Sequence, residues 1–331
     1  MNNFWEKLPK PFFVLAPLAN VTDAAFRRII AKYSDGGAPY VTYTEFVSAD
    51  GLCRAGEEGR AKLMRDLIFT DAERPIVAQF FTSTPEHMEK VAALAQELGF
   101  DGVDINMGCP DKTIEKQNAG AKLILNPECA AELIAAAKRG APRLPVSVKT
   151  RLGYNKDVLE EWLPALLAAE PAAIVLHART RKEMSKVPAR WERVKRAVEI
   201  RNELGSKTLI IGNGDLKDLE DAEQKVKESG ADGAMLGRAV FGNPWLFSNS
   251  YELRNMTVEA RLRVLTEHTK LFEELLGDIK SFAIMKKHFK AYCEGFPGAK
   301  ELRVKLMEAK DAAEVERLVE EYILKNNEKG E

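Results

Sequence analysis

The chain has little cysteine, almost no net charge and no long hydrophobic run. Its four cysteines, Cys53, Cys109, Cys129 and Cys293, stand far apart with no paired spacing. That excludes a disulfide framework, a zinc site and an iron–sulfur cluster, so no metal is expected, and it fits the reduced thiols of a cytoplasmic protein. Lysine plus arginine number 49 against 50 acidic residues, a formal charge of -1. Nothing therefore draws the molecule as a whole to nucleic acid, and an RNA partner requires a local patch. No stretch approaches the roughly 20 apolar residues of a membrane span. The run Phe12 to Leu15 is too short for the core of a secretion signal and is closed by Pro17, so neither membrane association nor export is expected. Internal repeats and low-complexity tracts are absent.

What is present is ordinary globular material: 331 residues, 45% apolar and 30% charged, enough for one large domain and a smaller one. Short β-branched and aromatic runs alternate with longer amphipathic segments, the pattern of βα units around a parallel sheet. Strands are predicted at Phe12 to Ala16, Tyr40 to Thr44, Ile76 to Phe80, Gly102 to Asn106, Val146 to Thr150, Ala173 to His177, Thr208 to Gly212 and Gly233 to Leu236. Helices are predicted between them, for example at Pro85 to Leu98, with Thr84 as N-cap, Pro85 in the first position and Gly99 as the stop. Eight such units predict a closed (β/α)8 TIM barrel over an open doubly wound sheet. After Asn249 only helical periodicity remains, as in Phe282, Met285, Phe289 and Tyr292. The expected division is a barrel over 1–249 and a small all-helical domain over 250–331.

In a barrel the residues at strand C-termini converge on one face. Here they are Ala16 with Pro17, Glu45, Gln79, Asn106 with Cys109, Lys149 with Arg151, His177 with Arg179, Asn213 with Gly214 and Asp215, and Gly237 with Arg238. The glycine-rich turns after the last two strands offer backbone amides and a guanidinium suited to phosphate. Lys149, His177 and Gln79 offer donors to an electron-rich heterocycle, the means by which a protein tunes a flavin. Lys149 could equally close a salt bridge with Glu45, and His177 could be a satisfied core histidine. From Lys280 to Lys305 seven basic residues face only Glu294 and Glu301. That patch suits either phosphates or plain solvent.

The run Asn106, Met107, Gly108, Cys109, Pro110, with Lys112 and then Gly120 and Ala121, resembles the signature of the tRNA-dihydrouridine synthase family of bacterial type. Ala16 to Ala19 with Thr22 and Asp23, Val148 to Gly153, His177 to Arg181, Gly212 to Asp215 and Gly230 to Trp245 extend the resemblance along the barrel. Lys286, Lys287 and His288 with Tyr292 resemble the family's basic RNA-facing helix, where Lys290 follows on an adjoining turn. The chain departs from the family pattern at Leu18 and Ala178, and in the segment Met184 to Trp191, at Ser185, Val187 and Arg190.

The resemblance implies an oxidoreductase acting on a CH–CH group, with FMN as cofactor and NADPH as reductant, that reduces the C5–C6 double bond of uridine in tRNA. Carried over residue by residue, Pro17, Leu18 and Ala19 would lie against the flavin ring, and Gln79, Lys149 and His177 around its polar edge. Asn213, Gly214, Asp215, Gly237 and Arg238 would hold its phosphate. Asn106, Arg179 and Arg181 would meet the extruded uridine or its phosphate, and Cys109 would be the catalytic acid. Hydride arriving at uracil C6 leaves an enolate over C5 and O4 that must be protonated at C5, and a thiol with a pKa near 8.5 is mostly protonated at neutral pH yet acidic enough to donate. Three other readings compete: a barrel flavoenzyme for a free pyrimidine, against which stands the absence of iron–sulfur spacing; a flavin-keeping RNA chaperone; and action on ribosomal RNA. A monomer is the default expectation.

Overall fold

The computed structural model describes residues 3–34, 36–254 and 256–327. Eight parallel strands close into a barrel in chain order: β1 (Phe12–Leu15), β2 (Tyr40–Ser48), β3 (Ile76–Phe81), β4 (Gly102–Met107), β5 (Val146–Arg151), β6 (Ala173–His177), β7 (Leu209–Asn213) and β8 (Gly233–Leu236). The ring is completed by β8 beside β1, with Phe12 opposite Gly233. That closure is tight: a Cβ on Gly233 would stand 2.5 Å from the Phe12 carbonyl oxygen. The strands read as apolar runs because both of their faces are dry, one under helices and one inside the barrel. One strand exceeds its prediction by more than a residue. β2 runs on to Ser48 through a register shift between Tyr43 and Phe46 against β3, which re-aims the strand end that carries Glu45.

The helices between strands are fixed by local chemistry. Asn126 caps Pro127–Gly140, its side-chain oxygen accepting from the Cys129 N–H at 3.1 Å with Pro127 in the first turn. Asp218 does the same for Leu219–Ser229, which Gly230 ends at φ +73°. Thr84 makes no side-chain cap to Pro85–Glu97; its own N–H donates instead to Thr82 Oγ1 at 2.9 Å.

The chain folds into two compact units, each discontinuous in sequence. The first comprises 1–17, 39–68 and 73–238 and holds the whole barrel. The second comprises 18–38, 69–72 and 239–331. The divide expected near residue 249 thus falls between Arg238 and Ala239, and the helix Ala24–Ser34 that joins β1 to β2 goes with the C-terminal segment. The reason is packing that no local pattern announces. Tyr33 donates to Glu267 at 2.8 Å and Lys32 pairs with the same carboxylate. Phe26 stacks on His268 and meets His288 edge-on, ring centroids 4.8 and 4.6 Å apart. The C-terminal segment of the second unit is helical as expected, with Val258–Leu276, Met285–Tyr292, Ala299–Leu306 and Ala312–Asn327. Among the described residues no helix is long and apolar enough to cross a membrane.

Candidate active site

In the barrel unit the polar residues gather where the strands end. β4 supplies two of them on one side of its pleat, Asp104 and Asn106, since alternate residues share a face. Register sets Gln79 of β3 beside Asp104, Ser147 of β5 on its other side, and Lys149 beside Asn106. The Asp104 carboxylate accepts from Gln79 Nε2 at 2.7 Å and from Ser147 Oγ at 2.6 Å. Gln79 Oε1 in turn accepts from Asn106 Nδ2 at 3.0 Å. Asn106 Oδ1 takes the backbone N–H groups of Gly108 and Cys109 at 3.1 and 2.9 Å, fixing the turn that carries the thiol.

Cys109 is half-buried, and burial pushes its thiol pKa up, with a backbone hydrogen bond from Asp111 opposing. The group therefore stays S–H at neutral pH, an acid rather than a nucleophile. Its loop is held from below. The Ala121 N–H donates to the Cys109 carbonyl at 2.9 Å, an approach open only because residue 120 is glycine at φ +62°. A Cβ there would lie 2.7 Å from that carbonyl oxygen.

Around the thiol the mouth is crowded with cations. Lys149 Nζ donates to Asn213 Oδ1 at 3.3 Å. Burial, helped by the Arg151 charge, lowers its pKa to about 8. Burial likewise brings Arg151 down to about 10, while its guanidinium donates to the Gly108 carbonyl at 2.7 Å and steadies the same turn. His177 is held neutral by burial first, then by Arg151, Lys149, Arg179 and Arg238. Asp215 lies between two of these cations: Arg179 pairs with one oxygen, Arg238 with the other at 2.8 Å, and the Ala189 N–H donates at 2.9 Å. The Arg179 hydrogen bond, foremost, keeps that carboxyl below its usual range. Gly214, at φ +131°, lets the backbone pass close to Ala189 and His177.

The structure thus brings Gln79, Asn106, Cys109, Lys149, His177, Arg179, Asn213, Gly214, Asp215 and Arg238 to one barrel end, with Pro17 buried just after β1 and Gly237 just after β8. Leu18 and Ala19 belong to the second unit, half-buried and exposed respectively. Arg179 is almost wholly buried and committed to Asp215 and the Val187 carbonyl, so it acts on a ligand only through or beside that pair. Arg181 is clamped by both oxygens of Glu115 and stacks on Tyr154, centroid 5.0 Å away. In the second unit Lys287 and Lys290 are exposed and Lys286 half-exposed. His288 is not on that surface. It is fully buried between Phe26, His268 and Phe241, so it is a core residue and no RNA contact.

Sequence reasoning missed Asp104, Ser147, Glu115 and Glu183. For Asp104 a signal existed: a carboxylate inside an apolar strand, two residues before Asn106 and hence on its face. Glu183 pairs with Arg190 through two bonds of 3.0 Å and accepts the Thr180 N–H, so the atypical segment from Met184 to Trp191 is anchored at both ends. Among the described residues no cluster is arranged to hold a metal ion.

Comparison with known proteins returns one family model, described as Dihydrouridine synthase (Dus), over residues 14–328. A probable tRNA-dihydrouridine synthase of Staphylococcus aureus (strain MRSA252) is 39% identical over 322 residues, 97% of this chain and 95% of that protein. Probable tRNA-dihydrouridine synthase 2 of Bacillus subtilis (strain 168) is 40% identical over 97% of this chain and 96% of its own length. Among solved structures, 6-hydroxypseudooxynicotine amine oxidase from Pseudomonas geniculata N1 superposes with a TM-score of 0.53 at 12% identity, covering 80% of this chain and 53% of that one. Histamine dehydrogenase from Rhizobium sp. 4-9 gives 0.52 at 12% identity, over 78% and 48%. The chain spans about half the length of each, and likeness at such identity concerns the barrel fold alone.

Proposed function

The chain belongs to the dihydrouridine synthase family, and from that premise we propose that it reduces the C5–C6 double bond of uridines in tRNA, with FMN as bound cofactor and NADPH as reductant. The observation that carries the reading is a thiol kept protonated by burial, at a strand end inside a cation-rich mouth. FMN is an anion through its phosphate, and the mouth fits one. Lys149, Arg151, Arg179 and Arg238 share it with Asp215, and burial first, then repulsion among these cations, depresses Lys149 and Arg151 and keeps His177 neutral. An anion relieves that repulsion.

In this reading Asn213, Gly214, Asp215, Gly237 and Arg238 hold the phosphate, and Pro17, Leu18 and Ala19 border the ring. Lys149, Gln79 and neutral His177 face its polar edge. The chemistry that a bound, reduced flavin would supply there is hydride for uracil C6. Everything else falls to the chain. Asn106 and Arg151 hold the turn of Cys109 still, and the thiol gives its proton to C5, so that the two hydrogens added to the ring come from two directions. The exposed amines of Lys287 and Lys290, with Lys286, are suited to tRNA phosphates, while Arg179 and Arg181 border the base. A monomer working in the cytoplasm completes the proposal.

The test is nucleoside mapping by mass spectrometry of unmodified tRNA before and after incubation with the purified protein, FMN and NADPH. A gain of two hydrogens at defined uridines supports the reading. A yellow protein that oxidises NADPH without altering tRNA would refute the substrate and redirect the search to ribosomal RNA or a free pyrimidine.

A further inference from the structure

Two buried amides and a buried carboxylate below the thiol raise a question of direction. An ionised carboxylate only accepts hydrogen bonds and a backbone N–H only donates, whereas a glutamine or asparagine amide can be turned either way. Between Asp104 and the Cys109 turn stand two such amides in series. Gln79 Nε2 donates to Asp104 Oδ2 at 2.7 Å, which leaves Gln79 Oε1 facing Asn106 Nδ2 at 3.0 Å. That leaves Asn106 Oδ1 for the Gly108 and Cys109 N–H groups at 3.1 and 2.9 Å. The other Asp104 oxygen is held by Ser147 at 2.6 Å, with Tyr43 at 3.5 Å behind it. Tyr43, Gln79, Asp104 and Ser147 are fully buried and Asn106 is 4% exposed, so no member of the chain has water as an alternative.

We propose that Asp104 is a positioning residue for Cys109: its carboxylate fixes the direction of a hydrogen-bond chain through the Gln79 and Asn106 amides that ends on the Cys109 backbone N–H. Because one end only accepts and the other only donates, both amides have a single consistent orientation, and the turn bearing the thiol inherits it. Protonation of Asp104 weakens that anchor on either oxygen: on the one facing Gln79 it sets the two ends asking opposite things of the same amide, and on the other it turns the Ser147 hydroxyl from donor to acceptor and leaves Gln79 a neutral acceptor in place of an anionic one. Burial, against the hydrogen bonds of Ser147 and Gln79, the Lys149 charge on the neighbouring strand and the Tyr43 hydroxyl, raises this carboxyl to about 6, which brings that change within reach of mildly acid solution. The inference rests on the reading of Cys109 as the proton donor for its effect on turnover, but not for its effect on the thiol.

The experiment therefore has two readouts on the purified full-length protein. The first is the rate of Cys109 alkylation by iodoacetamide against pH, resolved from the other cysteines by peptide mass spectrometry. The second is steady-state dihydrouridine formation. The variants are Asp104→Asn, which keeps the shape, and Ser147→Ala, a milder change that loosens the carboxylate. Ile105→Val is the control, a core substitution on the opposite face of β4. Expected for Asp104→Asn is a shifted pH profile of alkylation and a fall in kcat of about 10- to 100-fold with KM for tRNA little changed. Ser147→Ala should move both in the same direction by less, and Ile105→Val neither. If Asp104→Asn does not fold, Ser147→Ala carries the test. Unchanged alkylation in the folded variants, or equal changes in Ile105→Val, overturns the proposal. A wild type that forms no dihydrouridine refutes the assigned reaction instead, and the alkylation profiles still decide the positioning role.

Discussion

Acid should weaken the second unit, and His288 sets the size of the effect. Its imidazole is fully buried, 4.5 Å from that of His268 between ring centroids, and none of the four ring nitrogens has a hydrogen-bond partner among the described residues. Burial, reinforced by the Lys287 charge, brings His288 down to about 3, and His268 is lowered in the same direction by burial and by His288. With the folded value below the unfolded one near 6.5, the unfolded chain takes up the proton first. Stability is therefore full above pH 6.5 and falls as pH drops below it. Between pH 7.5 and pH 5 the loss from His288 alone is about 1.5 pH units, or about 2 kcal/mol, and His268 adds to it. At a typical urea slope that moves the unfolding midpoint by about 1 M. Asp104 works the other way, its raised value favouring the folded state as pH falls, so the raw pH dependence of the wild type mixes both signs. His288→Phe separates them. Phenylalanine suits a site between Phe26 and Phe241, and removing two unpaired nitrogens should leave stability at pH 7.5 equal or higher. Urea unfolding followed by circular dichroism at both pH values should show the variant losing about 1 M less than wild type. Equal losses in the two proteins would sink the argument.

Three further outcomes follow from the barrel mouth. Gly120→Ala should lower stability by about 1–3 kcal/mol, through the left-handed backbone and the clash with the Cys109 carbonyl; an unchanged melting temperature would contradict it. Cys109→Ala should cut dihydrouridine formation by about 10²- to 10⁴-fold while the purified protein keeps its flavin absorbance, and loss of the flavin would mean that the thiol serves binding instead. FMN affinity should weaken as pH rises through about 8, where Lys149 gives up its proton, because an anionic ligand prefers the charged amine. Titration of Lys149→Met should show a lower affinity without that decline, and a parallel decline would exonerate Lys149.

The strands were legible because a buried parallel strand is a plain apolar run, and seven of the eight lie within a residue or two of their expected ends. β2 overran its prediction because a bulge between Tyr43 and Phe46 leaves no mark in composition. The helix Glu57–Met64 went unread for a related reason: it buries no residue, so it has no apolar stripe to detect. Strand-end residues could be gathered into one site from topology alone, but their partners could not. Glu115 reaches Arg181 across 66 residues and Asp104 meets Gln79 across 25. His288 is the instructive misreading. It follows two lysines and looks basic, yet Met285, His288, Phe289 and Tyr292 fall at positions i, i+3, i+4 and i+7, the buried face of their helix.

The discontinuity of the second unit bears on how the chain is made. Tyr33 leaves the ribosome 234 residues before the Glu267 it will bind. The helix Ala24–Ser34 must then wait, apolar face uncovered, while the entire barrel is synthesised. A barrel released without residues 239–331 would carry that helix as an exposed adhesive surface, and a C-terminal fragment begun at residue 250 would lack the Phe26 ring on which His268 stacks. Neither half is a natural module, and any shortened chain that respects the fold has to carry the first helix with the last ones.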